Sequence, residues 1–232
     1  MQFKTLLLIS KQPSAILSIV LTLVASMSIG VAVFHYIQDS EQVEITAAHN
    51  IVLSQANQIF NARVGDIENS TRLLNAHFEY ALKNAGLKNA TNALAEIGLS
   101  IPSISQIRWM NNSGDETLRI NFKNGVAELV LADELQNKSA RYFVKNALDS
   151  TPGDVSLSDI DLNVERGRIE IPFVPTVRSI INFDEHPNGK GLFVVNFQLF
   201  DMLRELRELS SNRYELLVAK DSGSWLLHTN KE

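Results

Sequence analysis

Hydrophobic positions change their spacing three times along the chain. Residues 14–37, SAILSIVLTLVASMSIGVAVFHYI, hold no charged side chain and are apolar on every side. A helix needs about 20 such residues to cross a bilayer, so this run spans one with some tilt. Residues 40–85 follow with no proline and one glycine, Gly65. There Val52, Ala56, Ile59, Phe60, Val64, Ile67, Leu74, Phe78, Ala81 and Leu82 recur in steps of three and four, which predicts one amphipathic helix. At about 1.5 Å per residue it is a rod of roughly 65 Å. Its near half is expected to pair with a second copy and its far half to pack on a sheet. Ala85-Gly86 is a plausible stop, and 87–100 reads as a second, short helix.

Beyond Pro102 the period falls to two. Residues 104–110 and 117–122 are strands joined by the turn Asn111-Asn112-Ser113-Gly114, a hairpin. The pattern continues with a helix over 139–148 and strands at 155–157, 176–183 and 191–197. A helix over 199–209 follows. Strands separated by helices, with antiparallel hairpins, predict an α+β domain with helices on a sheet. Strand–turn–strand then starts again at 214–220 and 224–228, so a second sheet module is expected to begin at about residue 211 and to be cut short.

Charge sets the orientation. Lys4 and Lys11 precede the apolar run, while Asp39, Glu41 and Glu44 follow it. The positive-inside rule puts residues 1–13 in the cytoplasm and the body on the other side of the membrane. A cleaved signal peptide would have an apolar core of about 7–15 residues with a small-x-small site after it. This run is longer and no such site follows at the right distance, so 14–37 is expected to stay as an anchor. The net charge of -5 excludes the basic face of a nucleic-acid binder. The absence of cysteine excludes disulfides and thiolate metal sites.

The stretch 135–178, LQNKSARYFVKNALDSTPGDVSLSDIDLNVERGRIEIPFVPTVR, is dense in charge and aromatic groups. A short helix is expected to carry Arg141, Tyr142 and Phe143. Neighbours on a helix cannot face one way, so one of the aromatic pair belongs to the core. Asp159, Asp161 and Asn163 with Glu170 have calcium-loop spacing, but Val164 stands where the loop needs glycine and Arg166 and Arg168 add positive charge. A solvated acidic loop, or carboxylates pairing with Arg141 or Arg178, is the better reading. Arg178 sits mid-strand and is either a ligand clamp or a structural partner of Asp159 or Asp161. The five histidines have no metal-ligand spacing, and no catalytic motif occurs. Neither a cofactor nor enzymatic activity is expected.

Taken together, QIRWMNNSGDETLRINF, LQNKSARYFVKNAL, PGDVSLSDIDLNVERGRIE and GLFVVNF followed by FDMLREL resemble the double Cache sensors, extracytoplasmic ligand-binding domains of bacterial transmembrane receptors. The resemblance implies a membrane-distal PAS-like module over residues 38–210 with a long N-terminal helix, and a second module of which 211–232 is the start. It also implies an output elsewhere: a histidine kinase, a diguanylate cyclase or a chemotaxis region. Amino-acid-binding members carry a basic residue two positions before an aromatic pair, and an aspartate on the last strand. Here those positions fall on Ala140, on Tyr142 and Phe143, and on Asn196. A neutral Asn196 is a poor partner for an ammonium group, whereas Arg141 and Arg178 suit a carboxylate. The expected site is Arg141, Tyr142, Phe143, Asp159, Asp161, Arg178 and Asn196. The expected partners are a small anionic molecule, the lipid bilayer and a second copy of the chain. The alternative is a module that binds a periplasmic protein or only dimerises, its pocket degenerate.

Overall fold

The computed structural model describes residues 13–165, 167–211 and 215–227. Helix α1 runs over Pro13–Leu99, and the divide between two compact units falls within it, between Ser54 and Gln55. In the first unit the helix covers residues 14–37, the run read from sequence as an anchor. It includes a stretch of mean hydropathy 2.4 with none of its residues buried. Among the described residues this is the one helix long and apolar enough to cross a membrane. Lys4 and Lys11 lie outside the described residues.

In the second unit α1 turns one face inward. Ile67, Thr71, Leu74 and Phe78 are buried, at the three- and four-residue spacing that lines one side of a helix. Helical geometry breaks at Gly86, whose φ of 79° and ψ of 172° are open only to glycine, so α1 is two helices meeting at a kink. The expected stop falls there, and the expected short helix is the part of α1 beyond it, packed through Ala90 and Leu94.

The strands are β1 (Ile104–Asn111), β2 (Glu116–Lys123), β3 (Val126–Leu129), β4 (Val155–Leu157), β5 (Asp161–Leu162), β6 (Val164–Glu165), β7 (Arg168–Ile169), β8 (Pro175–Phe183), β9 (Gly191–Gln198), β10 (Val218–Ala219) and β11 (Trp225–Leu227). The two later helices are α2 (Tyr142–Leu148) and α3 (Phe200–Glu208). The main sheet is antiparallel, in the order β3-β2-β1-β9-β8-β4, with β5 also paired to β8. This is the α+β architecture expected. Two short ribbons stand apart from it, β6-β7 and β10-β11. The second is the strand–turn–strand anticipated near the end, shorter than predicted; Arg213, Tyr214 and His228 lie outside the described residues.

Alternation along the central strands gives the sheet two unlike faces. One face carries Ile107, Trp109 and Phe193 toward α1, where Phe78 lies 6.0 Å from Trp109 and 6.1 Å from Phe193 between ring centroids. The other carries Met110, Ile180, Leu192 and Val194, which α2 covers with Phe143, Val144 and Ala147. Further along that second face the apolar residues give way to Gln106, Arg108, Arg119, Arg178 and Asn196, all buried.

A buried polar surface on a central sheet

The polar end of the second face is assembled from neighbouring strands in register. Arg108 of β1 stands beside Arg119 of β2, and Gln106, two residues earlier on β1, lies in the row of Asn196 of β9 and Arg178 of β8. The segment 159–170 crosses over this row. Burying so many cations requires partners, and the crossing segment supplies two of them.

Asp161 serves one end. Arg178 Nη1 donates to its Oδ1 at 2.7 Å, the Tyr142 hydroxyl donates to its Oδ2 at 3.1 Å, and Arg141 Nη2 lies 3.6 Å from Oδ2. The Arg178 guanidinium carbon also sits 4.7 Å from the centroid of the Phe143 ring, and that of Arg141 at 5.5 Å. Burial and the Asp161 charge hold the Tyr142 hydroxyl above its ordinary pKa.

Glu165 serves the other end. Its Oε1 accepts from Arg108 Nη2 at 2.8 Å and Gln106 Nε2 at 3.0 Å. Its Oε2 accepts from Gln136 Nε2 at 3.2 Å and lies 3.5 Å from Lys138 Nζ and 3.7 Å from Arg119 Nη1. Burial by itself would raise the Glu165 carboxyl, but Arg108, Lys138, Gln106 and Arg119 outweigh it and hold the pKa at about 2. Beneath it the fully buried Glu116 pairs with Arg108 Nε at 3.0 Å and Arg119 Nη1 at 2.9 Å. Burial pulls both Arg108 and Lys138 below their ordinary values.

Asn196 joins the two ends. Its Oδ1 accepts from Arg108 Nη1 at 3.1 Å, and its Nδ2 donates to Gln106 Oε1 at 2.9 Å and to Asn163 Oδ1 at 3.5 Å. Gln106 Oε1 also accepts from Arg108 Nη2.

Six of the seven residues expected from sequence meet here through their side chains. Asp159 differs: it is exposed, and it contributes its carbonyl oxygen, 3.2 Å from the Tyr142 hydroxyl. Arg141 is not helical, as expected from sequence, but the residue before α2, with φ -76° and ψ 136°. Its extended backbone lets it reach Asp161, which lies ahead of the helix. Of the aromatic pair, Phe143 is the core residue and Tyr142 is half-buried. The calcium-loop spacing is spent otherwise: Asp161 on Arg178, and Glu170 on the Asn163 amide at 2.9 Å. Sequence reading missed Gln106, Arg108, Glu116, Arg119, Lys138 and Glu165. The signal was there, since Gln106, Arg108 and Arg119 fall on the polar turns of alternating strands, a pattern that also describes a solvent-facing edge.

The residues Arg108, Lys138, Arg141, Phe143, Asn163, Val164 and Arg178 line a crevice too tight for a water molecule. Beside it, a cleft of about 560 Å³ runs past Gln106, Asn121, Asn163, Glu165 and Glu170.

Solved structures that resemble this one include sensory domains. A domain of a sensory box/GGDEF family protein from Vibrio parahaemolyticus matches with a TM-score of 0.66 at 22% identity, over 80% of this chain and 71% of that one. The extracellular domain of the histidine kinase vpHK1S-Z8 matches with a TM-score of 0.65 at 22% identity, over 80% and 67%. The ligand-binding domain of the Campylobacter jejuni chemoreceptor Tlp3, in complex with L-valine, gives 0.58 at 14% identity, over 78% and 69%. At these identities the likeness is one of fold. No curated protein is a significant match to the sequence. The family model described as the sensor domain of bacterial histidine kinases matches residues 88–232, more than half of the chain, and the chain belongs to that family.

Proposed function

We propose that the chain is the extracytoplasmic input domain of a membrane-bound signalling receptor and that it senses a small anionic organic molecule. The output, a kinase, cyclase or chemotaxis region, would lie outside these residues, and the domain itself would catalyse nothing. One observation carries the anionic reading. Arg108, Arg119, Lys138, Arg141 and Arg178 converge on one face of the sheet against Glu116, Asp161 and Glu165, an excess of two positive charges in a buried setting. Arg178, Arg141, Tyr142, Phe143 and Asn196 are the ligand-binding residues in this reading, with Asp161 orienting the two arginines. Binding would shift an equilibrium between two packings of the long helix against a second copy. Residues 211–232 would open a second module.

The tightness of the crevice at Arg178 and Phe143 favours a second reading, in which the domain binds a periplasmic protein or only dimerises. Both are tested with the full chain in detergent micelles. Its melting temperature is measured against a panel of mono- and dicarboxylates, sulfonates, phosphate esters and amines, since a ligand that binds only the folded state raises it. A saturable rise with one anion class, lost in Arg178→Met, is expected. No rise with any anion would leave the protein-binding reading standing instead.

A further inference from the structure

Asp161 and Glu165 reach the same buried face from the same crossing segment, yet they are held differently. Asp161 belongs to β5, which is hydrogen-bonded to β8 of the main sheet through Asp161 and Thr176. Glu165 belongs to the β6-β7 ribbon, whose strands pair only with each other, Val164 with Ile169 and Glu165 with Arg168. The ribbon's next backbone ties, Asn163 N to the Val174 carbonyl and Glu170 N to the Asn163 carbonyl, lie at its base. Past that base, among the described residues, the Glu165 carboxylate is the group that ties the ribbon to the sheet.

What it fastens to has the makings of an anion subsite. Two oxygens gather Gln106, Arg108, Arg119, Gln136 and Lys138 from β1, β2 and the loop beyond β3, all of them donors. Without Glu165 the three cations face only Glu116, leaving two positive charges uncompensated. Glu165 also stands at the wall of the 560 Å³ cleft, and Asn163 and Val164 at the wall of the tight crevice beside it. Lifting the ribbon would therefore both free the donors and open the cleft toward Arg178 and Phe143. Outside the cleft wall, Ile169, Ile171 and Phe173 leave large apolar side chains exposed, at 49%, 84% and 62%. The segment thus carries apolar groups in solvent and a part-buried carboxylate on the sheet.

We propose that Glu165 is an internal stand-in for the sensed anion: its carboxylate fills the subsite of a ligand carboxylate and is expelled, with the β6-β7 ribbon, when that ligand binds. This rests on the anionic reading above and adds to it the subsite, Gln106, Arg108, Arg119, Gln136 and Lys138, and the moving part.

Chemical rescue tests it with acetate as the probe. In Glu165→Ala, full chain in detergent, the melting temperature is expected to fall by several degrees. Sodium acetate at tens of millimolar then restores part of the loss, while sodium chloride at equal ionic strength does not. Wild type and Glu185→Ala, which removes an exposed carboxylate elsewhere, gain nothing from acetate over chloride. If Glu165→Ala does not fold, Glu165→Gln is measured in its place; a neutral amide competes less with acetate, and an acetate-specific gain larger than that of wild type is expected. Equal responses to acetate and chloride in these variants overturn the subsite. If larger anions stabilise wild type and the Glu165 variants equally, the stand-in fails and the anionic reading survives. If no anion stabilises any of them, both fail.

Discussion

Arg178 and Phe143 meet face to cation, with 4.7 Å between the guanidinium carbon and the ring centroid, while Arg178 Nη1 holds Asp161 at 2.7 Å. One cation is thus shared by an aromatic residue of the helix-covered core and a carboxylate of the crossing segment. Phe143→Leu keeps most of the apolar volume and removes the ring face, so it is expected to cost about 1–2 kcal/mol. Arg178→Met should cost more, about 2–4 kcal/mol, because Asp161 then keeps its charge without its main partner. Urea unfolding of both variants checks the order, and a larger loss for Phe143→Leu would refute it.

The Glu165 carboxyl predicts acid sensitivity. Its folded pKa of about 2 lies below the ordinary 4.5. A depressed carboxyl stabilises the fold fully above the unfolded value and loses that contribution as pH falls from 4.5 toward 2. The contribution is about 3 kcal/mol at most. Unfolding free energy measured between pH 6 and pH 2.5 should therefore drop less steeply in Glu165→Gln than in wild type. Parallel curves would contradict the assigned pairing.

His186 gives a second window, at higher pH. It lies 4.3 Å from Trp109 and 4.8 Å from Phe183 between ring centroids, and its Nδ1 accepts from the Asn188 backbone at 3.0 Å. Burial lowers its pKa from 6.5; Glu79 pulls the other way and Lys83 adds to the lowering. The folded state prefers the neutral ring, so stability is present above the unfolded value and is lost as pH falls through it. His186→Phe should flatten the stability curve between pH 7 and pH 5. An NMR titration placing the His186 midpoint above 6.5 would refute the direction.

Gly86 gives a backbone prediction. With φ 79° and ψ 172° it occupies a region that costs a side chain about 1–3 kcal/mol. Gly86→Ala finds open space for its methyl group but not a permitted backbone, so the loss expected is conformational. Circular dichroism melts should show a lower midpoint with unchanged helix content. A raised midpoint would mean that α1 prefers to run straight.

The sequence exposed most of the architecture because its periods are clean. The apolar run, the stripe Ile67, Leu74 and Phe78, and the alternation in β1 and β2 each have one geometric solution. The site was legible where charge broke an apolar pattern, as at Arg178, and where the resemblance pointed to Tyr142, Phe143 and Asn196. It was not legible at Glu165. Strands of two residues, like β5, β6 and β7, carry no period to read, and the partners of Glu165 lie 27 to 59 positions away along the chain. Register across strands, which sets Arg108 beside Arg119, is a tertiary property that spacing along one strand does not contain.

Consecutive residues of β1 answer to different masters: Gln106 and Arg108 to the polar face, Ile107 and Trp109 to the helix. Chemical preference and mechanical support are thus written in alternate letters of one strand. A lineage could exchange the first set for new ligand chemistry while keeping the second, and the same scaffold would report on a different molecule.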